Sequence, residues 1–342
     1  MKPDASGAVP DDASTDAPEL GEAAAATAGV AVAAAEPVRS HAVGGLYAFS
    51  AYLIWGFLPL YFVALAPTGP WEVVAWRIVL SLVFCGVLLT LTRTWPRLRA
   101  ILRSPRLALW TVAAGVLIYV NWQVFVIATL TGHVIETSLG YFINPIFTVL
   151  LGVLILRERL RPAQWTAVGI AAAAVVVIVI GYGAFPWIAL TLTASFGLYG
   201  LVKKRIGPSV DAVSGLTLES LWLTPVAVVQ LMLVAATTGI TLGAAGPLHA
   251  VLLLGAGVMT ATPLLFFAAG ARRVPLTLIG LLQFVTPILQ FTIGVWILQE
   301  PMPVERWIGF ALVWIALVVL SADSVIAARR GRRAVADVAD LA

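Results

Sequence analysis

Stretches of about 20 residues that are apolar on every side, separated by short polar or basic breaks, recur along the chain from residue 44 to residue 322. A bilayer core about 30 Å thick is crossed by about 20 helical residues at 1.5 Å each, and a helix that is hydrophobic all round belongs in a core or in lipid. Ten such runs can be laid out, at 44–65, 71–92, 106–128, 134–156, 163–181, 184–203, 212–236, 247–270, 275–298 and 304–322. The pattern predicts an all-α integral membrane protein with ten transmembrane helices and short connections.

Basic residues are held on the cytoplasmic side during insertion, so alternate connections should differ in Lys and Arg. Arg93, Arg97, Arg99, Arg103 and Arg106 follow span two; Arg157, Arg159 and Arg161 follow span four; Lys203, Lys204 and Arg205 follow span six; Arg272 and Arg273 follow span eight; Arg329, Arg330, Arg332 and Arg333 follow span ten. With Lys2 and Arg39, every Lys and Arg falls on one side except Arg306, between spans nine and ten, and Arg77, inside span two. Both termini are therefore expected in the cytoplasm.

Residues 1–40 differ in kind from the membrane-spanning body. They carry Asp4, Asp11, Asp12, Asp16, Glu19, Glu22 and Glu36 and no aromatic residue, and such a segment cannot bury enough surface to offset the entropy of ordering. A disordered, acidic, Ala-rich cytoplasmic tail is expected there. The run Ala23–Ala35 is bounded by Glu22 and Glu36 rather than by a basic leader, so it does not read as a secretory signal. The remaining divisions are a first five-helix half at 44–181, a second at 184–323, and a basic cytoplasmic tail at 324–342.

Composition narrows the function. At 61% hydrophobic and 11% charged over 342 residues, with a mean hydropathy of +0.98, the chain is too apolar for a water-soluble enzyme. Cys85 is the single cysteine, and His41, His133 and His249 are dispersed, so no disulfide, metal cluster or cofactor site is expected. Neither a phosphate-binding G-x-x-x-x-G-K-[ST] loop nor an H-E-x-x-H pair occurs. An intramembrane enzyme is thereby disfavoured, and any transport must be driven by an ion gradient or by the solute's own gradient.

A shift of 142 residues overlays Leu139-Gly-Tyr-Phe-Ile-Asn-Pro145-Ile146 on Leu281-Leu-Gln-Phe-Val-Thr-Pro287-Ile288, Glu158 on Glu300, and Trp165 on Trp307. Ten of the 31 positions from 139 to 169 match without a gap. The aligned prolines and glutamates point to a duplication of five helices. An odd number per half makes the second enter from the opposite face, which defines two inverted repeats, an arrangement found in many secondary transporters.

Candidate site residues emerge from what a membrane interior tolerates. Pro145 and Pro287 lie near the centres of spans four and nine, where proline removes an N–H and displaces the carbonyl four residues earlier. Matched interruptions of this kind point to a solute site at the repeat interface; a packing kink is the structural alternative. Nearby polar groups Asn144, Gln283 and Gln290 are candidates for solute contact, as are Asn121, Trp122, Trp55, Tyr141 and Tyr199 within the spans. A charge at the centre of a span costs about 2.5–3.5 kcal/mol on insertion scales, so Arg77, Glu136 and Glu219 need a purpose such as charge compensation or coupling. Glu219 can serve as a proton carrier if unpaired, or pair with Arg77 or a hydroxyl.

Several strings identify a resemblance. Tyr52-Leu-Ile-Trp-Gly56, Asn121-Trp122, Glu136-Thr-Ser-Leu-Gly-Tyr-Phe-Ile-Asn-Pro145, Leu156-Arg-Glu-Arg-Leu160 with Gln164-Trp165, Ser195-Phe-Gly-Leu-Tyr-Gly-Leu-Val-Lys-Lys204, and Glu219 followed by Leu223-Thr-Pro225 resemble the RarD family of the EamA group in the drug/metabolite transporter superfamily, over about residues 44–323. The resemblance implies ten helices in two inverted five-helix repeats and a transporter, with a family name that records chloramphenicol sensitivity. The expected function is therefore a secondary permease for a small organic metabolite or drug-like solute, working by alternating access in a bacterial plasma membrane and coupled to protons, to another ion or to exchange. A non-transporting sensor or scaffold and a passive facilitator or channel are the alternatives. Expected partners are the solute, H+ as a coupling ion, and the lipid bilayer, with no nucleic acid, the chain acting as a monomer or homodimer.

Overall fold

A computed structural model describes residues 19–156, 160–182, 185–271 and 273–339, and every regular element in it is helical, with no strand among the described residues. In chain order the helices are α1 Glu19–Val63, α2 Pro70–Leu91, α3 Trp95–Arg103, α4 Pro105–Leu130, α5 Val134–Leu156, α6 Pro162–Tyr182, α7 Trp187–Ile206, α8 Ala212–Thr237, α9 Pro247–Leu254, α10 Ala256–Ala271, α11 Leu276–Leu282, α12 Val285–Thr292 and α13 Val304–Ala339, with a π-helical turn at Ile293–Ile297 after α12. Arg157, Glu158, Arg159 and Arg272, whose charges bear on the expected topology, lie outside the described residues.

Two compact units divide after Val43. In the first, the described backbone is helical from Glu19, where composition leads one to expect a disordered tail through residue 40; residues 1–18 lie outside the described residues. Alanine has the highest helix propensity, and nine of the 13 residues from Ala23 to Ala35 are alanine. At the other end α13 continues past residue 323 into the basic tail.

Among the described residues, nine helical stretches are long and apolar enough to cross a membrane. They match nine of the ten expected spans. The exception is α7, a helix of 20 residues standing where span six is expected, whose last turn holds Lys203, Lys204 and Arg205 and so lowers its hydropathy. One helix is not among the expected spans: α3 is short, with Leu98 and Ile101 buried and Arg97, Arg99 and Arg103 exposed. Its alternation of charge and apolar residues is a helical period too short to register as a span.

Helices at the same position in the two halves lie against each other: α2 on α8, α5 on α12, and α6 on α13. Across the halves α4 also packs on α7, and Gly270 of α10 lies against Ala48 of α1. Two glycines make close approach possible. A Cβ at Gly197 would lie 2.6 Å from the Phe147 ring, and one at Gly56 would lie 2.5 Å from the Leu289 side chain. Leu289 is the residue 142 positions after Phe147.

Buried apolar residues form one core among α1, α2, α3, α4, α7, α8, α9 and α10 that includes Phe62, Ile78, Trp122 and Leu218, and a second among α5, α6, α7, α12 and α13, where the Phe291 and Phe310 rings meet at 4.8 Å. The outer faces are also apolar: Leu91, Leu109, Ile180 and Leu248 are all more than two thirds exposed. A soluble monomer seldom shows so continuous an apolar exterior, and lipid accounts for it.

Candidate functional site

Span two carries the most isolated charge. Arg77 of α2 is 4% exposed, and among the described residues no carboxylate forms an ion pair with it. Its Nε donates to Thr260 Oγ1 of α10 at 2.8 Å. The guanidinium lies over the Trp122 ring at 4.3 Å and near Phe62 at 5.5 Å, with Tyr61 and Tyr141 within electrostatic reach. Nη1 is buried without a hydrogen-bond partner among the described residues. Thr260, in turn, donates to the Ala256 carbonyl, so its oxygen is oriented to receive Arg77.

The three adjacent residues of α4 face three different neighbours, as a helical step of about 100° requires. Asn121 donates to the Leu192 carbonyl and to Ser195 of α7; Trp122 faces Arg77; Gln123 accepts from Gln230 of α8 at 2.9 Å. Tyr141 of α5 donates to Asn121 Oδ1 at 3.1 Å, and its ring meets Phe196 edge-on at 5.9 Å. Phe196 leads to Tyr199, and Tyr199 donates to Glu219 Oε2 at 3.1 Å. Glu219 is 1% exposed and its other oxygen accepts from Lys203 Nζ at 2.8 Å. Its partners are thus Lys203 and Tyr199 rather than the Arg77 that the sequence allowed.

The second cluster surrounds α12. Thr286 donates to the Tyr52 carbonyl at 2.8 Å, and Gln290 Nε2 to the Trp55 carbonyl at 3.3 Å; Trp55 itself is half-buried and packs on Tyr52 and Phe267. Gln290 Oε1 and Asn144 Oδ1 are buried without hydrogen-bond partners among the described residues. Gln283 is half-buried and donates to Gly280 within its own turn. The two prolines behave differently. Pro145 lies inside the unbroken α5, whereas α11 ends at Leu282 and α12 begins at Val285, so Pro287 follows a break located four residues before it, where proline displaces a carbonyl. The Pro287 carbonyl accepts from Ser138 of α5 at 2.8 Å.

Carboxylates also tie helix ends. Glu136 Oε1 accepts from the Ile188 N–H at the start of α7, 3.2 Å away. Glu300 accepts from the N–H groups of Val134 and Ile135 at the start of α5, which satisfies two donors that a helix N-terminus leaves free. Glu72 accepts from the Thr241 N–H. At the end of the molecule that carries the basic connections, a cleft of about 750 Å³ opens between Arg97, Ile101 and Leu107, the segment 207–212, and Ala268 and Ala271 of α10. A space of about 30 Å³ lies beside Ile135, Glu136, Arg306 and Phe310.

The EamA-like transporter family matches residues 42–180. Protein RarD of Streptomyces exfoliatus is 45% identical over 289 residues, covering 84% of this chain and 91% of that protein. Protein RarD of Escherichia coli K12 is 37% identical over 287 residues, covering 84% and 96%. The chain belongs to the RarD family. A solved structure titled "Crystal structure of protein" is 18% identical, with a TM-score of 0.54 over 82% of this chain and 97% of that one, and it shares the fold.

Within this RarD-family chain, the residues singled out from sequence fall into two groups. Arg77, Trp122, Asn121, Tyr141, Tyr199 and Glu219 are linked by contacts across α2, α4, α5, α7 and α8. Trp55 and Gln290 touch each other near α12, Asn144 Oδ1 faces Gly197, and Glu136 and Gln283 bond to neighbouring backbone. Lys203, Thr260, Ser138 and Glu300 do not stand out in the sequence. Lys203 reads as one more cytoplasmic charge, and Thr260 and Ser138 as ordinary small polar residues; only Glu300 carries a signal, its alignment with Glu158 in the repeat.

Proposed function

We propose that this RarD-family chain is a secondary transporter that carries a small organic solute across the plasma membrane of a bacterium by alternating access. In this reading α7 completes ten spans, the halves are inverted repeats with both termini in the cytoplasm, and α5 and α11–α12 move about a pocket that includes Asn144, Gln290 and the Arg77–Trp122 group. The observation that carries it is the reciprocal seating of Phe147 on Gly197 and of Leu289 on Gly56. Phe147 and Leu289, one repeat apart, each seat on a glycine of the other half, and matched seats of this kind would let the two halves exchange roles when the pocket changes sides. Coupling is to an ion, with H+ the candidate, or to exchange.

Counterflow into liposomes containing the purified chain tests this directly. Saturable, trans-stimulated uptake of a solute is expected, and its loss in the Asn144→Ala/Gln290→Ala double variant. Non-saturable flux would mark a channel, and zero flux for every solute beside a retained cellular phenotype would mark a sensor or scaffold; flux unchanged in the double variant would remove the proposed pocket.

A further inference from the structure

The environment of Arg77 bears on the kind of solute. A guanidinium taken out of water keeps a full positive charge, and burying a charge is tolerated when it is paired or fully hydrogen-bonded. Around Arg77 stand Thr260 on α10, Phe62 and Tyr61 on α1, Trp122 on α4 and Tyr141 on α5. These supply one hydroxyl bond and several ring faces. Ring faces attract a cation yet accept no N–H bond along the planar fork. Nη1 is left without a hydrogen-bond partner among the described residues. One turn along α2 and on the same side, Ser81 Oγ is also buried and without one.

The other buried carboxylate in this region does not neutralise Arg77, because Glu219 is held by Lys203 and Tyr199. Glu72, on the same helix, is turned to the Thr241 N–H and Trp76. Among the described residues, the positive charge of Arg77 therefore remains uncompensated, with its planar donors walled by aromatic rings. A group with one negative charge and two coplanar acceptor oxygens matches that fork, and a ring-sized apolar body matches the walls. A phosphate monoester brings close to two charges, which a single cation does not balance.

We infer that the solute is an organic monocarboxylate with an aromatic or comparably apolar body, and that Arg77 takes its carboxylate while Trp122, Phe62 and Tyr141 flank the body. This rests on the proposed transport function and sharpens it. Arg77 then explains its own presence: the site is poorly compensated when empty and becomes neutral when loaded, so the carboxylate crosses the bilayer as half of an ion pair.

The test uses the full chain in lipid nanodiscs and follows thermal unfolding with benzoate, phenylacetate and 4-hydroxybenzoate, each against its neutral amide and against sodium chloride at equal ionic strength. At least one carboxylate is expected to raise the unfolding midpoint with a saturating dose response, its amide and chloride to leave it unmoved, and Arg77→Gln to abolish the rise. Arg77→Lys, which keeps the charge without the fork, should weaken half-saturation tenfold or more. Should Arg77→Gln fail to fold, the carboxylate-against-amide comparison and Arg77→Lys decide. An equal response to the amide, a response surviving in Arg77→Gln, or no response to any of the three carboxylates overturns the inference. Carboxylate binding without trans-stimulated flux would sink the transport reading and keep the anion site; saturable counterflow of a neutral solute, indifferent to Arg77→Gln, would do the reverse.

Discussion

Lys203 Nζ lies 2.8 Å from Glu219 Oε1, so the single acid of α8 is neutralised by a cation from the last turn of α7. The Lys203 side chain, about a quarter exposed, carries its ammonium to the carboxylate. Removing one member of a buried pair leaves the other charge uncompensated and costs about 3–5 kcal/mol. Lys203→Met should therefore lower the unfolding midpoint strongly, and adding Glu219→Gln should recover most of the loss. A single variant with wild-type stability would show that the pair contributes little.

Glycine positions should separate sharply by what surrounds them. A Cβ at Gly257 of α10 would collide with the Leu80 backbone carbonyl of α2, whereas one at Gly169 of α6 meets nothing within 4 Å. Gly257→Ala is expected to destabilise by about 1–3 kcal/mol through forced overpacking. Gly169→Ala should instead be neutral or stabilising by about 0.5–1 kcal/mol from helix propensity. Denaturation of both variants in the same detergent makes the comparison, and equal effects would contradict the packing of α10 on α2.

Two carboxylates should control two different helix starts. Loss of an N-terminal capping acceptor costs about 1 kcal/mol, so Glu300→Ala should speed amide exchange at Val134 and Ile135 while leaving Ile188 protected, and Glu136→Ala should do the converse. Exchange that changes at neither site would remove the capping role.

Sidedness can be read with one reactive thiol at a time, because Cys85 is the chain's single cysteine and is buried. In spheroplasts a membrane-impermeant maleimide should label His133→Cys, between α4 and α5, without lysis. It should reach Arg99→Cys, on α3, only after lysis. The opposite pattern would invert the topology.

Much of the fold was legible because the bilayer reduces it to one dimension. Run length marked nine of the helical stretches, since a helix must satisfy its own backbone and present about 20 apolar residues to lipid. α7 shows where that signal weakens: its final turn serves as both membrane helix and basic anchor. α3 lies outside that logic altogether. The break before Pro287 was readable from proline chemistry, yet the same residue type at Pro145 left α5 whole, because the cost of a proline depends on what neighbouring helices and backbone adjustment offer.

By itself, the sequence determined that this is a helical membrane protein of the RarD family and which polar residues sit at depth. Partnership was decided by tertiary structure alone. Arg77 meets Thr260, and Gln123 meets Gln230, across 183 and 107 positions of chain, and a rotation of any helix by one residue, about 100°, would send each side chain elsewhere. Such rotations are set by which small residues let helices approach, and those contacts form only when all the helices are packed together.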